Sequence, residues 1–199
     1  MELTTLALFI MTFGSILILP GPNSAFAVGQ SIKFGVVRSI VVPLGFMSAT
    51  GMHALFVFSG IGLIIQEYSV ALSILKWLGI IYLLWLAYKS FIAKPSQVEV
   101  LPKQISKLKM YFSAIFVSLT NPKALLASIM VYPLFLSADY AYTVQAAILS
   151  VTGMAISFAI YGAYSVAASA LKSRLGASIF ANKLIGSMYL GAASALAAN

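Results

Sequence analysis

The chain has 199 residues, of which 61% are hydrophobic and 8% are charged, and its formal net charge is +8. Soluble domains carry about 25% charged residues, so this composition excludes an ordinary soluble protein. The sequence contains no cysteine, which excludes disulfides and thiolate metal sites. A single histidine and four carboxylates are too few for a typical multi-ligand metal site, and we predict neither a metal nor a cofactor.

Six apolar stretches follow one another along the chain, at about 3–32, 39–65, 72–92, 111–136, 142–170 and 179–198. A spanning helix needs roughly 20 apolar residues, and a helix satisfies its own backbone hydrogen bonds in lipid. We therefore predict an all-α integral membrane protein, with six transmembrane helices in one domain over residues 1–199. The first stretch is preceded by Glu2 and by no Lys or Arg, so we expect a retained span and not a secretion signal.

The first and fourth stretches each contain a proline motif, Pro20–Asn23 (PGPN) and Asn121–Lys123 (NPK). Proline and glycine interrupt a helix, and the ends of a broken helix present unpaired N–H groups that bind anions. Paired interruptions in two halves of a chain are typical of a transporter's binding site. The alternative is two kinks without ligand contact. In the second motif we expect Asn121 to cap a helix that starts at Pro122.

Four polar side chains within these stretches are further candidates. Lys123 can hold a substrate carboxylate, help exclude cations, or extend to the membrane surface. His53 can relay a proton or bind substrate, or it can simply bond to a neighbouring helix. Tyr82 and Tyr189 can contact substrate or pack with a bonded hydroxyl. The predicted substrate site comprises Pro20, Gly21, Pro22, Asn23, Asn121, Pro122, Lys123, His53, Tyr82 and Tyr189.

The pattern K-x-x-G-x-x-Y-L opens the third stretch at 76–83 and recurs at the start of the sixth, at 183–190. This recurrence indicates a duplication, although chance agreement is the alternative because Gly, Leu and Tyr are common in membrane helices. We predict one repeat over 1–92, a cytoplasmic linker over 93–110 and a second repeat over 111–199. Because each repeat holds three spans, the second copy enters the membrane from the opposite side, as in many secondary transporters.

The basic residues are concentrated in the odd-numbered loops, which predicts the orientation. Cytoplasmic loops carry the excess of Lys and Arg, so these loops are expected in the cytoplasm and both termini in the periplasm. A nucleic-acid-binding surface is the weaker interpretation, because the basic residues lack aromatic interleaving. Ten of the twelve are placed on the cytoplasmic side: Lys33, Arg38, Lys89, Lys94, Lys103, Lys107, Lys109, Lys172, Arg174 and Lys183.

The motifs PGPN at 20–23, KWLG at 76–79, NPKA at 121–124 and PLF at 133–135 together resemble the LysE/RhtB family of small amino-acid exporters. The resemblance implies a permease of the bacterial inner membrane that exports amino acids or related metabolites in exchange for protons. Many members have Pro-Gly-Pro-Asp where this chain has Asn23. Asparagine cannot carry a proton. Any proton coupling is therefore expected to involve His53 or Glu67 instead.

Other classes of function fit the sequence less well than export. A membrane enzyme would need a nucleophile with a base or a metal cluster, and His53 has no evident carboxylate partner in the sequence. A non-transporting assembly subunit has no use for paired helix interruptions. A redox protein is disfavoured by the lack of cysteine. Small residues in the spans would allow a homodimer, and the expected partners are the lipid bilayer and a small amino-acid-like substrate.

Overall fold

A computed structural model describes residues 1–60, 69–92, 105–175 and 179–198. Within these ranges the regular structure is entirely helical, which confirms the all-α prediction. Glu67 and residues 93–104 of the predicted linker lie outside the described residues. The helices are α1 (Leu3–Ile18), α2 (Pro22–Phe34), α3 (Val36–Ser39), α4 (Val41–Phe58), α5 (Ser69–Phe91), α6 (Lys107–Leu119), α7 (Pro122–Val131), a 3-10 turn (Tyr132–Phe135), α8 (Tyr142–Leu175) and α9 (Ile179–Ala198).

Among the described residues, the stretches Val36–Phe58 and Tyr142–Ala170 are each long and apolar enough to cross a membrane. Two bent pairs would add two further crossings if each pair is one span: α1 with α2, bent by 65°, and α6 with α7, bent by 62°. The described part of the chain thus gives two to four candidate spans. The arrangement of six spans as two inverted repeats stays a prediction.

Both bends fall at the proline motifs, as the sequence predicts. At the first, Pro22 is the first residue of α2, and the Ser24 hydroxyl accepts from Gly21 N at 2.8 Å. At the second, Asn121 Oδ1 accepts from Lys123 N at 3.1 Å and Pro122 begins α7. Proline suits a first helical position because its missing N–H would have no partner there. The local sequence therefore ends one helix and starts the next within a few residues.

Helix α4 packs between α6 and α8 and fixes their positions. On the α8 side, the ring of Phe46 packs against that of Tyr161 in a tilted arrangement with centroids 4.8 Å apart, and Gly51 lies against Met154. The order of these contacts makes α4 and α8 antiparallel. On the α6 side, Gly45 lies directly against the backbone of the neighbouring helix, since a Cβ added to it would be 2.6 Å from a carbonyl oxygen.

We expect Gly45→Ala to destabilise the protein by roughly 1–3 kcal/mol, because the added methyl group would clash with the backbone of α6. That Cβ would lie 2.6 Å from Tyr111 O and 2.8 Å from Ala114 Cβ. Gly162→Ala is the matched control, since nothing lies within 4 Å of its added Cβ. The measurement is the thermal unfolding midpoint in detergent. Equal midpoints for the two variants would contradict the close packing of α4 on α6.

Several of the described charges lie at the two ends of the bundle, whereas Lys123 lies between them at the second interruption. Arg38 donates to a backbone carbonyl just before α6 at 3.0 Å, and Lys33 at the end of α2 lies close enough to Lys89 of α5 for electrostatic repulsion. Glu2 and Asp139 precede α1 and α8, at the end where α4 finishes. This separation is the three-dimensional counterpart of the charge pattern in the sequence.

Candidate functional site

The two helix interruptions meet inside the bundle. Asn121 Nδ2 donates to Asn23 Oδ1 at 3.0 Å, and Asn23 Nδ2 donates to Ser118 Oγ at 3.1 Å. The hydroxyl of Tyr161, on α8, also hydrogen-bonds with the Asn23 side chain. Asn23 is only 2% exposed, and buried amides are costly unless they are hydrogen-bonded. The asparagine pair therefore joins the two interruptions through side chains that satisfy one another.

Lys123 lies in the second position of α7 and reaches across to the first interruption. Its Nζ donates to the carbonyl oxygen of Leu19 at 2.8 Å. That carbonyl belongs to the carboxyl end of α1, where unpaired carbonyls and the helix dipole favour a cation. The preceding carbonyl, that of Ile18, accepts from the Tyr164 hydroxyl at 2.6 Å. Two side chains from other helices thus hold the broken end of α1.

Within the described residues, Lys123 has no carboxylate beside it. The described carboxylates are Glu2 and Asp139, at the end of the bundle where α1 begins. Lys123 is half-buried, so its ammonium has lost part of its contact with solvent. A half-buried ammonium bonded only to a neutral carbonyl can accept a carboxylate from outside the chain. The arrangement is therefore suited to an anionic group on a ligand.

A small pocket lies between the two interruptions. In this conformation it has space for about one water molecule. This space is smaller than an amino acid. The pocket is lined by Ile16, Leu17, Leu19, Gly21, Asn23, Ser24, Asn121, Lys123, Ala124, Ala127 and Tyr161.

The structure gathers some of the predicted site residues and not others. Gly21, Asn23, Asn121 and Lys123 line the pocket. The three prolines of the motifs do not line it; they shape the bends, with Pro22 and Pro122 as first residues of their helices. Pro20 lies exposed in the link between α1 and α2.

The three other predicted residues lie away from the pocket. His53, on α4, is only 1% exposed, and its Nε2 has no hydrogen-bond partner within the described part of the chain. Tyr82 hydrogen-bonds with the Ser113 side chain, and Tyr189 bonds with that of Gln30 on α2. These two tyrosines thus connect α5 and α9 to the helices that carry the interruptions. Their predicted contact with substrate stays a prediction.

Two hydrogen-bonding partners of Asn23 are absent from the predicted set, Ser118 and Tyr161. Ser118 stands one helical turn before Asn121, so the spacing that places them on one face was a usable signal. Tyr161 lies in the middle of the fifth apolar stretch, where a hydroxyl needs a partner, but the sequence gives no indication that the partner is Asn23. The carbonyl of Leu19 is backbone and follows only from the geometry of the break.

Known proteins are similar to this chain over most of its length. It is 29% identical over 192 residues to a leucine efflux protein of Klebsiella pneumoniae, covering 92% of this chain and 89% of that protein. It is 27% identical over 161 residues to a homoserine/homoserine lactone efflux protein of Salmonella typhimurium, covering 80% and 78%. It is 25% identical over 186 residues to an uncharacterized membrane protein of Vibrio cholerae, covering 89% of each.

No solved structure matches the chain. The family model described as LysE type translocator matches residues 14–199, a range that includes both interruptions and every residue of the pocket. With its apolar helices, the chain is a multi-pass membrane protein that belongs to the LysE type translocator family.

Proposed function

We propose that this protein is a secondary transporter that exports amino acids or related small zwitterions across the bacterial inner membrane. The observation that carries the proposal is the junction of two broken helices around Lys123, which has a neutral carbonyl and no described acid beside it. The efflux proteins of Klebsiella pneumoniae and Salmonella typhimurium support the substrate class. Family membership over residues 14–199 supports a translocator.

The bond between Lys123 Nζ and Leu19 O, 2.8 Å long, suggests how a zwitterion binds. The ammonium of Lys123 attracts the substrate carboxylate, and the carbonyl of Leu19 accepts from the substrate ammonium. Substrate thus replaces one charge-assisted bond with two, so that the ammonium of Lys123 and the carbonyl of Leu19 both stay paired. A monocarboxylate or a monoamine satisfies only one of the two partners, and we expect weaker binding of both.

Transport requires the pocket to open alternately to the two sides of the membrane. The bends of 65° and 62° lie at the pocket itself, so small rotations there would change its access. Broken helices with a central site serve this purpose in other secondary transporters. We place the basic end of the bundle in the cytoplasm, following the positive-inside rule, and both termini in the periplasm. The homodimer stays a prediction.

For the coupling, we propose exchange with protons through His53. It is the only histidine in the chain, and its buried Nε2 has no partner. Asn23 occupies the position that carries an aspartate in many members and cannot take a proton itself. A proton-coupled exporter should lose active export when an ionophore collapses the proton gradient.

The test is an export assay in cells that overexpress the protein, with leucine, homoserine, a monoamine and a monocarboxylate as substrates. We expect faster export of at least one amino acid, little export of the amine or the acid, and loss of active export with a proton ionophore. Cells that carry an empty vector provide the background. Export rates equal to that background for every amino acid would overturn the proposal.

A further inference from the structure

Helix α8 places three hydroxyl side chains one turn apart, and the middle one belongs to the pocket. Residues four apart lie on the same face of a helix, so Ser157, Tyr161 and Ser165 form one strip, called here the hydroxyl strip. Tyr161 lines the pocket and hydrogen-bonds with Asn23. Ser157 and Ser165 are 0% exposed, and their hydroxyls have no hydrogen-bond partner among the residues that the structure describes.

These two serines, like Ser90 on α5, differ from several other hydroxyl residues on the described helices. The hydroxyls of Ser48, Thr50, Ser128 and Ser150 each donate to the carbonyl four residues earlier, at 2.7–3.1 Å. That bond is available to any serine on a helix, yet Ser157 and Ser165 do not make it. A buried hydroxyl without a partner is costly and needs an explanation. A route that fills with water or polar ligand in another conformation supplies one.

Two further buried polar groups lie beyond Ser157, the Tyr132 hydroxyl and His53 Nε2, and neither has a partner among the described residues. The Tyr132 hydroxyl packs against Gly153, one turn before Ser157 on α8, and is buried without a hydrogen bond. On antiparallel α4, Phe46 is level with Tyr161 and Gly51 is level with Met154. The same register places His53 beyond the pocket, on the side of Tyr132. Unpaired polar groups therefore continue along the bundle from the pocket.

Ser165 extends the strip in the opposite direction. Because α8 is antiparallel to α4, its carboxyl end lies where α4 begins, at the basic end of the bundle. Ser157 and Ser165 thus lie on opposite sides of Tyr161 and of the pocket. In a membrane protein, polar side chains face the bundle interior or a water-filled cavity.

We propose that the hydroxyl strip of α8 lines the route by which a zwitterionic substrate and its water pass the pocket. Ser157 belongs to the half of the route at the acidic end, and Ser165 to the half at the basic end. The hydroxyls are unpaired among the described residues in this conformation, and they bond to water or substrate as each half opens. This inference rests on the proposed export function, because it assigns the path that such an exporter would use.

The native chain has no cysteine, so single cysteines can report on water access directly. Thiolates react with charged methanethiosulfonates, and a thiol must meet water to ionise. We expect S157C and S165C each to react at least about tenfold faster than a lipid-facing cysteine. The two variants should react from opposite faces of the membrane. The control is A159C, which lies on the exposed side of the same helix. Right-side-out and inside-out vesicles separate the two faces.

Two further measurements accompany the labelling rates: total labelling after denaturation, and export after labelling. Labelling after denaturation in detergent measures the amount of each variant, so poor insertion is not mistaken for poor access. Reaction at both serine positions, with loss of export afterwards and no loss in A159C, supports the route. Reaction no faster than in A159C at both positions overturns it, even if the wild-type protein exports amino acids. Rapid reaction in a protein that exports no amino acid would instead retain the route and reject the proposed substrate class.

Discussion

Replacing Lys123 with methionine is expected to lower amino-acid export by roughly ten- to a hundredfold. A hydrogen bond to a charged group contributes about 1.5–3 kcal/mol, and about 1.4 kcal/mol corresponds to a factor of ten. Methionine keeps the length of the lysine stem, so the variant removes the charge and little packing. Among the described residues, Lys123 Nζ bonds to Leu19 O, and we expect the loss in transport and not in membrane insertion.

The matched control is Lys109→Met, which removes an exposed lysine at the basic end of the bundle. Both variants are quantified in the membrane before initial export rates are compared. We expect K109M to export at the wild-type rate. Equal rates in K123M and K109M would show that the ammonium of Lys123 does not bind substrate.

Replacing Asn23 with leucine should have the second large effect, on stability as well as on export. It would leave Asn121 Nδ2, the Ser118 hydroxyl and the Tyr161 hydroxyl without their common partner. A buried polar group without a partner costs about 1–3 kcal/mol, so we expect a total loss of at least about 2 kcal/mol. The measurements are the thermal unfolding midpoint in detergent and the export rate.

Asn23→Asp is the informative comparison. Aspartate still accepts from Asn121, and the Ser118 hydroxyl can rotate to donate to it, because a hydroxyl is both donor and acceptor. We expect this variant to keep stability within about 1 kcal/mol of wild type and to keep export. If N23L were as stable and active as N23D, the asparagine pair would not be what joins the two interruptions.

The interruptions and their caps were predictable because local rules decide them. Proline at a first helical position and asparagine before it specify the start of a helix from a few neighbouring residues. The bond from Lys123 N to Asn121 Oδ1, at 3.1 Å, is the predicted cap. The apolar stretches likewise located the helices, because periodicity and length are properties of the sequence.

The partners across helices were not predictable, because they depend on how the helices pack. Nothing near Asn23 in the sequence indicates Tyr161, which reaches it only because α8 packs against α2. Polarity within apolar stretches predicts His53, Tyr82 and Tyr189 at the site, whereas the pocket does not include them. Polarity inside a membrane segment shows that a partner is needed, but the register between helices determines which one.

The most direct test of export through this site is uptake of a labelled amino acid into inside-out vesicles, since export from the cell corresponds to uptake there. The substrate is the amino acid exported fastest in the cell assay, and the proteins are wild type, K109M and K123M at equal amounts. We predict uptake above empty vesicles for wild type and K109M, and uptake near the background for K123M. Uptake by K123M at the wild-type rate would contradict the proposed binding of substrate between the two broken helices.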